Sequence, residues 1–130
     1  MAMPVKWLMA VIALATAGCA VNNNYLKSQD FVTRLTDDGV KVDGFRRVLP
    51  DPFLANEGVA IKIAGSEIGV YKYDTSIRLQ RNRLEKINRV KTLYIAGIPY
   101  PVVVRGSFVF YGLDKNPEKA KILKSIDKFD

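Results

Sequence analysis

Histidine is absent from this 130-residue chain, and cysteine and tryptophan each occur once, as Cys19 and Trp7. Without imidazole there is no Ser-His-Asp or Cys-His catalysis, none of the usual zinc sites and no histidine-based pH sensing. A lone cysteine rules out an internal disulfide, so stability has to come from burial. Two acidic segments, Asp37-Asp38 and Asp43, match no calcium-loop spacing and read as a helix end followed by a turn. No serine sits in a nucleophile motif, although a serine–lysine pair brought together by folding stays open. The expectation is a protein that is not an enzyme and holds no cofactor or metal.

What the chain has is concentrated at its beginning. Met1 to Lys6 carries one positive charge, and Trp7 to Ala15 is an apolar run of nine residues. A membrane-spanning helix needs about 20 residues, so this run reads as a signal peptide. Two cleavage sites compete. Ala15-Thr16-Ala17 fits ordinary secretion, whereas Ala17-Gly18-Cys19 resembles the bacterial lipobox, with Thr16 where leucine is usual. The second accounts for a single unpaired cysteine in an exported chain, so Cys19 is the expected lipidation site. The domain plan is a signal peptide over 1–18, a lipidated cysteine and tether over 19–27, and one domain over 28–130. Two or three acyl chains would hold it firmly on a membrane. Ala20, by resemblance to lipoprotein sorting rules, favours an outer membrane facing the periplasm in a diderm host, and a monoderm cell surface stays open.

Cleavage before Cys19 leaves 112 residues with 19 basic and 13 acidic side chains, enough for one core and not two. The triplet Asn22-Asn23-Asn24 reads as polar tether. Ser28 reads as the cap of a helix ending near Asp38, with Phe31, Val32 and Leu35 on its buried edge and Gly39 as its stop. Val40 and Val42 open a strand, and Leu49-Pro50-Asp51-Pro52-Phe53 cannot continue one. Two hairpins follow, Val59–Tyr73 and Val102–Leu113, with Gly65-Ser66 and Gly106-Ser107 as two-residue turns. Each leads through an aspartate into a helix, the first from about Thr75 to Arg89. The last carries Asn116 as cap, Pro117 after it, and Ile122, Leu123, Ile126 and Phe129 on one face. A strand near Thr92–Ala96 precedes a turn at Gly97-Ile98-Pro99. The fold class is α+β, an antiparallel sheet built on two Gly-Ser hairpins with helices on one face. A degenerate ββα repeat and convergent hairpin chemistry both fit.

The order Phe31, Leu35, Gly39, Val42, Pro52-Phe53, Ile61, Gly65, Ile68, Val70-Tyr71, Tyr73 resembles a broad group of small bacterial envelope lipoproteins. That resemblance implies a fold and a location, and no activity. The chain departs from the group in its second helix, usually alanine-rich and here arginine-rich. Between Lys72 and Lys91 lie seven basic and two acidic residues. At about 100° per residue, Arg78, Arg81, Lys86 and Arg89 share one sector and Ile77, Leu84 and Ile87 lie opposite. This sector is either a solvated outer face or a face for an anionic partner, namely an envelope component or another envelope protein. Nucleic acid is not expected for an exported chain. Tyr71, Tyr73, Tyr94, Tyr100, Phe108, Phe110 and Tyr111 either pack under helices or line a ligand groove. The functional expectation is a membrane-anchored docking or scaffolding lipoprotein, with a small-ligand or anion-binding periplasmic module as the alternative.

Overall fold

A computed structural model describes residues 21–51 and 53–130. Cys19, the signal peptide and Pro52 therefore lie outside the described residues. The elements are α1 (Ser28–Asp37), β1 (Gly44–Val48), β2 (Glu57–Ile63), β3 (Ser66–Lys72), α2 (Arg78–Val90), β4 (Thr92–Ile95), β5 (Ile98–Arg105), β6 (Phe108–Tyr111) and α3 (Lys119–Asp127). All six strands form one antiparallel sheet in the order β1-β2-β3-β6-β5-β4. Two three-stranded meanders thus meet at their third strands, and the fold is α+β as expected.

The alternation of Val59, Ile61, Ile63 on β2 and Ile68, Val70 on β3 builds one face of the sheet. On it lie Phe31 and Leu35 of α1 and Ile122 and Ile126 of α3, with Phe129 just beyond. Phe31 packs 4.7 Å from Phe110 and 5.1 Å from Phe129, and Phe108 packs 4.8 Å from Phe129, centroid to centroid. The other face collects Tyr71, Val102 and Val109 under Phe53, Leu84 and Ile87. So the expectation of helices on one face is corrected: α1 and α3 share a face and α2 covers the opposite one, because Leu84 and Ile87 pack on Tyr71, Val102 and Val109, which alternate to the other side of the sheet. The hairpin-plus-helix units β2-β3-α2 and β5-β6-α3 match in order but not in the side their helices take.

Local signals explain the ends of the elements. Helix α1 closes in a Schellman motif: Val40 N donates to Leu35 O at 2.9 Å and Gly39 N to Thr36 O at 3.1 Å, with Gly39 at φ +83°. Val40 and Leu35 are both buried, which supplies the accompanying apolar contact. Val40 and Val42 pack against the core, and the strand itself starts at Gly44. Ser28 is not the cap but the first helical residue, and its N–H and hydroxyl both donate to Glu57 at 2.7 and 2.8 Å. Asn116 stands before α3, accepting from Glu118 N at 2.9 Å and donating to Ile63 O at 3.0 Å.

The turns differ from expectation by one residue. Ile63 pairs with Ser66, so the β2–β3 turn is Ala64-Gly65, with φ of +51° and +81°. Ile95 pairs with Ile98, so the β4–β5 turn is Ala96-Gly97, at +51° and +80°. Positive φ at both positions is the type I′ pattern that suits strand twist. Only Gly106-Ser107 is a Gly-Ser turn, between the paired Arg105 and Phe108. The expected turn at 97–99 gives way to a strand that carries Pro99 and Pro101. Val102 N donates to Lys91 O at 3.0 Å, toward β4. Alternation then aims the ring nitrogens of Pro99 and Pro101 away from β4, where β6 has already ended at Tyr111 opposite Val102. The prolines remove donors that no neighbouring strand would use.

Gly65 and Gly106 are therefore unequal. A Cβ at Gly65 meets nothing within 4 Å, whereas one at Gly106 collides with the Asn23 carboxamide. Gly65→Ala is expected to cost about 1 kcal/mol for its left-handed backbone. Gly106→Ala is expected to cost about 3 kcal/mol, since it also displaces a buried hydrogen-bonding group. Thermal melts of the two variants check this, and the second should fall clearly further.

Candidate functional site

The basic face is carried by α2, which starts after a turn in which the Asp74 carboxylate accepts from Ser76 N at 3.0 Å and Ser76 Oγ at 2.6 Å. These bonds hold the Asp74 carboxyl below its ordinary range. Asp74 therefore caps the turn, and the helix begins at Arg78 rather than Thr75, with no side-chain cap. Leu84 and Ile87 are buried, while Ile77 is exposed, against expectation. Arg78, Arg81, Lys86 and Arg89 are all exposed, on the side away from the sheet. None has an acidic partner within salt-bridge distance among the described residues. Arg81 donates only to the backbone oxygen of Thr75, at 2.8 Å.

Helix electrostatics do not explain this arrangement. Arg89 lies in the last turn, where a cation complements the helix dipole, but Arg78 and Arg81 lie in the first turn, which holds no acid. A cation there opposes the dipole by about 0.3–1 kcal/mol each. Glu85, one turn on from Arg81 and one turn before Arg89, forms no ion pair with either among the described residues. The surface depression along Leu79, Asn82, Arg83, Glu85, Lys86 and Arg89 is formed by side chains of α2 alone. It is a flank and not an enclosed pocket.

A second cluster was not legible as a site. Asn23 is 1% exposed, and its carboxamide makes four bonds. It donates to Arg105 O at 3.1 Å and Phe129 O at 2.9 Å, and accepts from Ser107 N at 2.8 Å and Ser107 Oγ at 3.0 Å. Beside it the Lys72 ammonium donates to Asn24 O at 2.6 Å, Ser107 Oγ at 2.9 Å, Asn24 Oδ1 at 3.3 Å and Asn23 O at 3.5 Å. It also lies 4.8 Å from the Phe108 ring centre. The reading of 19–27 as lipidated cysteine and tether is thereby corrected at its end: the packed unit begins by Asn23, before Ser28. The available signal was Lys72 itself, a lysine in register with Ile68 and Val70 on the core-facing side of β3.

Ser107 and Lys72 have the spacing of a serine–lysine pair, and Lys72 is no longer part of the exposed charge. Burial lowers the Lys72 pKa, while Asp74 and Glu57 pull it back up. The surroundings, however, are those of a donor: several oxygens converge on the ammonium, and Ser107 Oγ spends its proton on Asn23. Neither side chain lines any of the described depressions. The pair is a buried structural knot.

The aromatic residues separate into three groups. Tyr71, Tyr73, Phe108 and Phe110 are core, with Tyr73 donating to Phe53 O at 2.6 Å. Tyr94 is exposed. Tyr100 and Tyr111, with ring centroids 5.5 Å apart, line a cleft of about 160 Å³ with Pro101 and Leu113. This lies below the roughly 300–1,000 Å³ of small-molecule pockets. Asp38 is structural: it accepts from Ser125 Oγ at 2.7 Å, Arg34 at 3.1 Å and Lys128 at 3.2 Å, joining α1 to α3. Among the described residues no group of three or more acidic, cysteine or histidine side chains could hold a metal. No described helix is long and apolar enough to cross a membrane. No protein-family model, curated protein or solved structure matches the chain.

The Ser125 hydroxyl, followed by Lys128 and Arg34, holds the Asp38 carboxyl below its ordinary 3.8 against an opposing effect of burial. A lowered folded value means that this stabilisation is present above the unfolded pKa and lost as pH falls through the folded one. Asp38→Asn should therefore melt below wild type at neutral pH, with the gap closing below 3.8. Thermal melts across an acid series check the sign.

Proposed function

We propose that the chain is a lipid-anchored envelope protein, acylated at Cys19, that acts by docking and not by catalysis. In this reading α2 presents Arg78, Arg81, Lys86 and Arg89 to an anionic envelope component. The observation that carries it is the exposure of four cations without acidic partners, two of them in a first helical turn that disfavours them. Residues that work against local stability are where function is to be sought. The lone cysteine after an apolar leader, and the likeness to small envelope lipoproteins, support the anchor. Supporting the second reading, a small-ligand module, is the Tyr100–Tyr111 cleft, whose size suits only a small group.

Cys19→Ser is expected to move the protein from the membrane fraction to the soluble one. Reversing Arg78, Arg81, Lys86 and Arg89 to glutamate should lower co-sedimentation with anionic envelope material more than about tenfold, at about 1 kcal/mol per basic residue. The wild-type association should fade with salt, because exposed charges are screened over about 8 Å at physiological ionic strength. Equal recovery of both proteins at low and high salt would reduce α2 to solvated surface.

A further inference from the structure

We infer that the anionic component is the headgroup surface of the bilayer carrying the anchor, met by the first turn of α2 and the residues around Asn23. The inference rests on the lipid-anchor reading and names the partner of its basic face. Its first ground is tether length. With the Asn23 side chain held by four hydrogen bonds, only Ala20, Val21 and Asn22 separate the fold from Cys19. Four extended Cα–Cα steps reach at most about 14 Å. The domain's exit point would stay within that distance of the acylated residue, less than about two screening lengths of roughly 8 Å each at physiological ionic strength.

The second ground is what surrounds the exit. Asn24 Oδ1 accepts from Thr75 N at 3.0 Å, and Arg81 donates to Thr75 O at 2.8 Å. The start of α2 is thereby fixed beside the point where the chain leaves the domain. Around it Tyr25 is 70% exposed, Leu79 65% and Ile77 47%, with Arg78 between the last two. An aromatic, two aliphatics and unpaired arginines are the composition that settles at headgroup depth on an anionic bilayer. Asp74 before the helix accepts from the neutral donors Ser76 and Asn24 and keeps its charge, so Arg78 and Arg81 outnumber it at this end, while Asp130 pairs with Arg105 at 3.0 Å. A separate acidic protein would have to reach this end of α2 through the space the short tether closes.

The test uses the full chain purified with its anchor and reconstituted into vesicles of phosphatidylcholine, with or without phosphatidylglycerol. A nitroxide is attached at Leu79→Cys, beside the exit, or at Lys62→Cys, an exposed site near the opposite end of β2 and β3. Collision with oxygen against a water-soluble relaxant reads the depth. The label at 79 should be shielded from water on phosphatidylglycerol vesicles, and the label at 62 should stay aqueous. Adding Arg78→Glu and Arg81→Glu should abolish the shielding. Equal aqueous exposure at 79 and 62 on those vesicles overturns the inference, as does shielding at 79 that is unchanged on phosphatidylcholine alone. Cys19 in the wild-type chain serves as the separate control, since nitroxide uptake there overturns the anchor reading.

Discussion

The Asn23 carboxamide is the constraint on which the arrangement of the termini depends. Its two N–H groups and its oxygen join residues 82 to 106 positions away in sequence: the β5–β6 turn, Arg105 and Phe129 after α3. Such an amide is fully satisfied, and breaking one partner leaves buried carbonyls without donors at about 1–3 kcal/mol each. The same knot sets Gly106, because any side chain there would take the space of Asn23. It also gives Lys72 its role. A buried ammonium is tolerated only where oxygens surround it, and the backbone carbonyls of Asn23 and Asn24 arrive with the irregular segment that precedes α1. The N-terminal segment thus completes the sheet's open end.

The two faces of the sheet divide the work of the fold. The α1–α3 face is wholly committed to packing, with Phe31, Phe108, Phe110 and Phe129 in mutual contact. On the other face Tyr71 lies over Gly58 and Gly69, where a Cβ would approach the ring to 2.8 and 2.9 Å. Phe53 meets that ring edge-on at 4.2 Å. Only two α2 residues are buried, Leu84 and Ile87, so most of the helix surface is left to charge. A helix held by so narrow an apolar stripe can change its outer residues without disturbing the core. That freedom makes the unpaired arginines informative, since packing did not select them.

The sequence showed the fold where local chemistry decides it. Alternating β-branched residues marked β2 and β3, Gly39 ended α1, and Ile122, Ile126 and Phe129 marked the α3 face. It misled where distant partners decide. Asn22-Asn23-Asn24 looks like tether because nothing local distinguishes a solvated asparagine from one whose partners lie at Ser107 and Phe129. Gly65-Ser66 looked like the turn because Gly followed by Ser suits a two-residue turn with positive φ at the glycine, yet the register pairs Ile63 with Ser66 and puts Ala64 at +51°. Gly97-Ile98-Pro99 read as a turn, and it is the early end of β6 that lets Pro99 and Pro101 sit in a strand without a missing donor. Of the site, the basic sector was legible from helical spacing. The beginning of α2 beside the chain's exit was not, since it depends on Asn24 holding Thr75.

Short tethers and basic faces are coupled physically. A long flexible linker would let a lipid-anchored domain sample all orientations, and the cost of confining it rises only slowly with length. A chain locked at residue 23 removes most of that freedom before any headgroup is met. On the proposed anchor, each arginine near the exit would then act at high effective concentration against an anionic surface. The knot around Asn23, Lys72 and Ser107 would in this way serve both ends of the problem. It closes the core at one end of the sheet, and it presents that end of the domain, with the first turn of α2, to whatever the N-terminus is bound to.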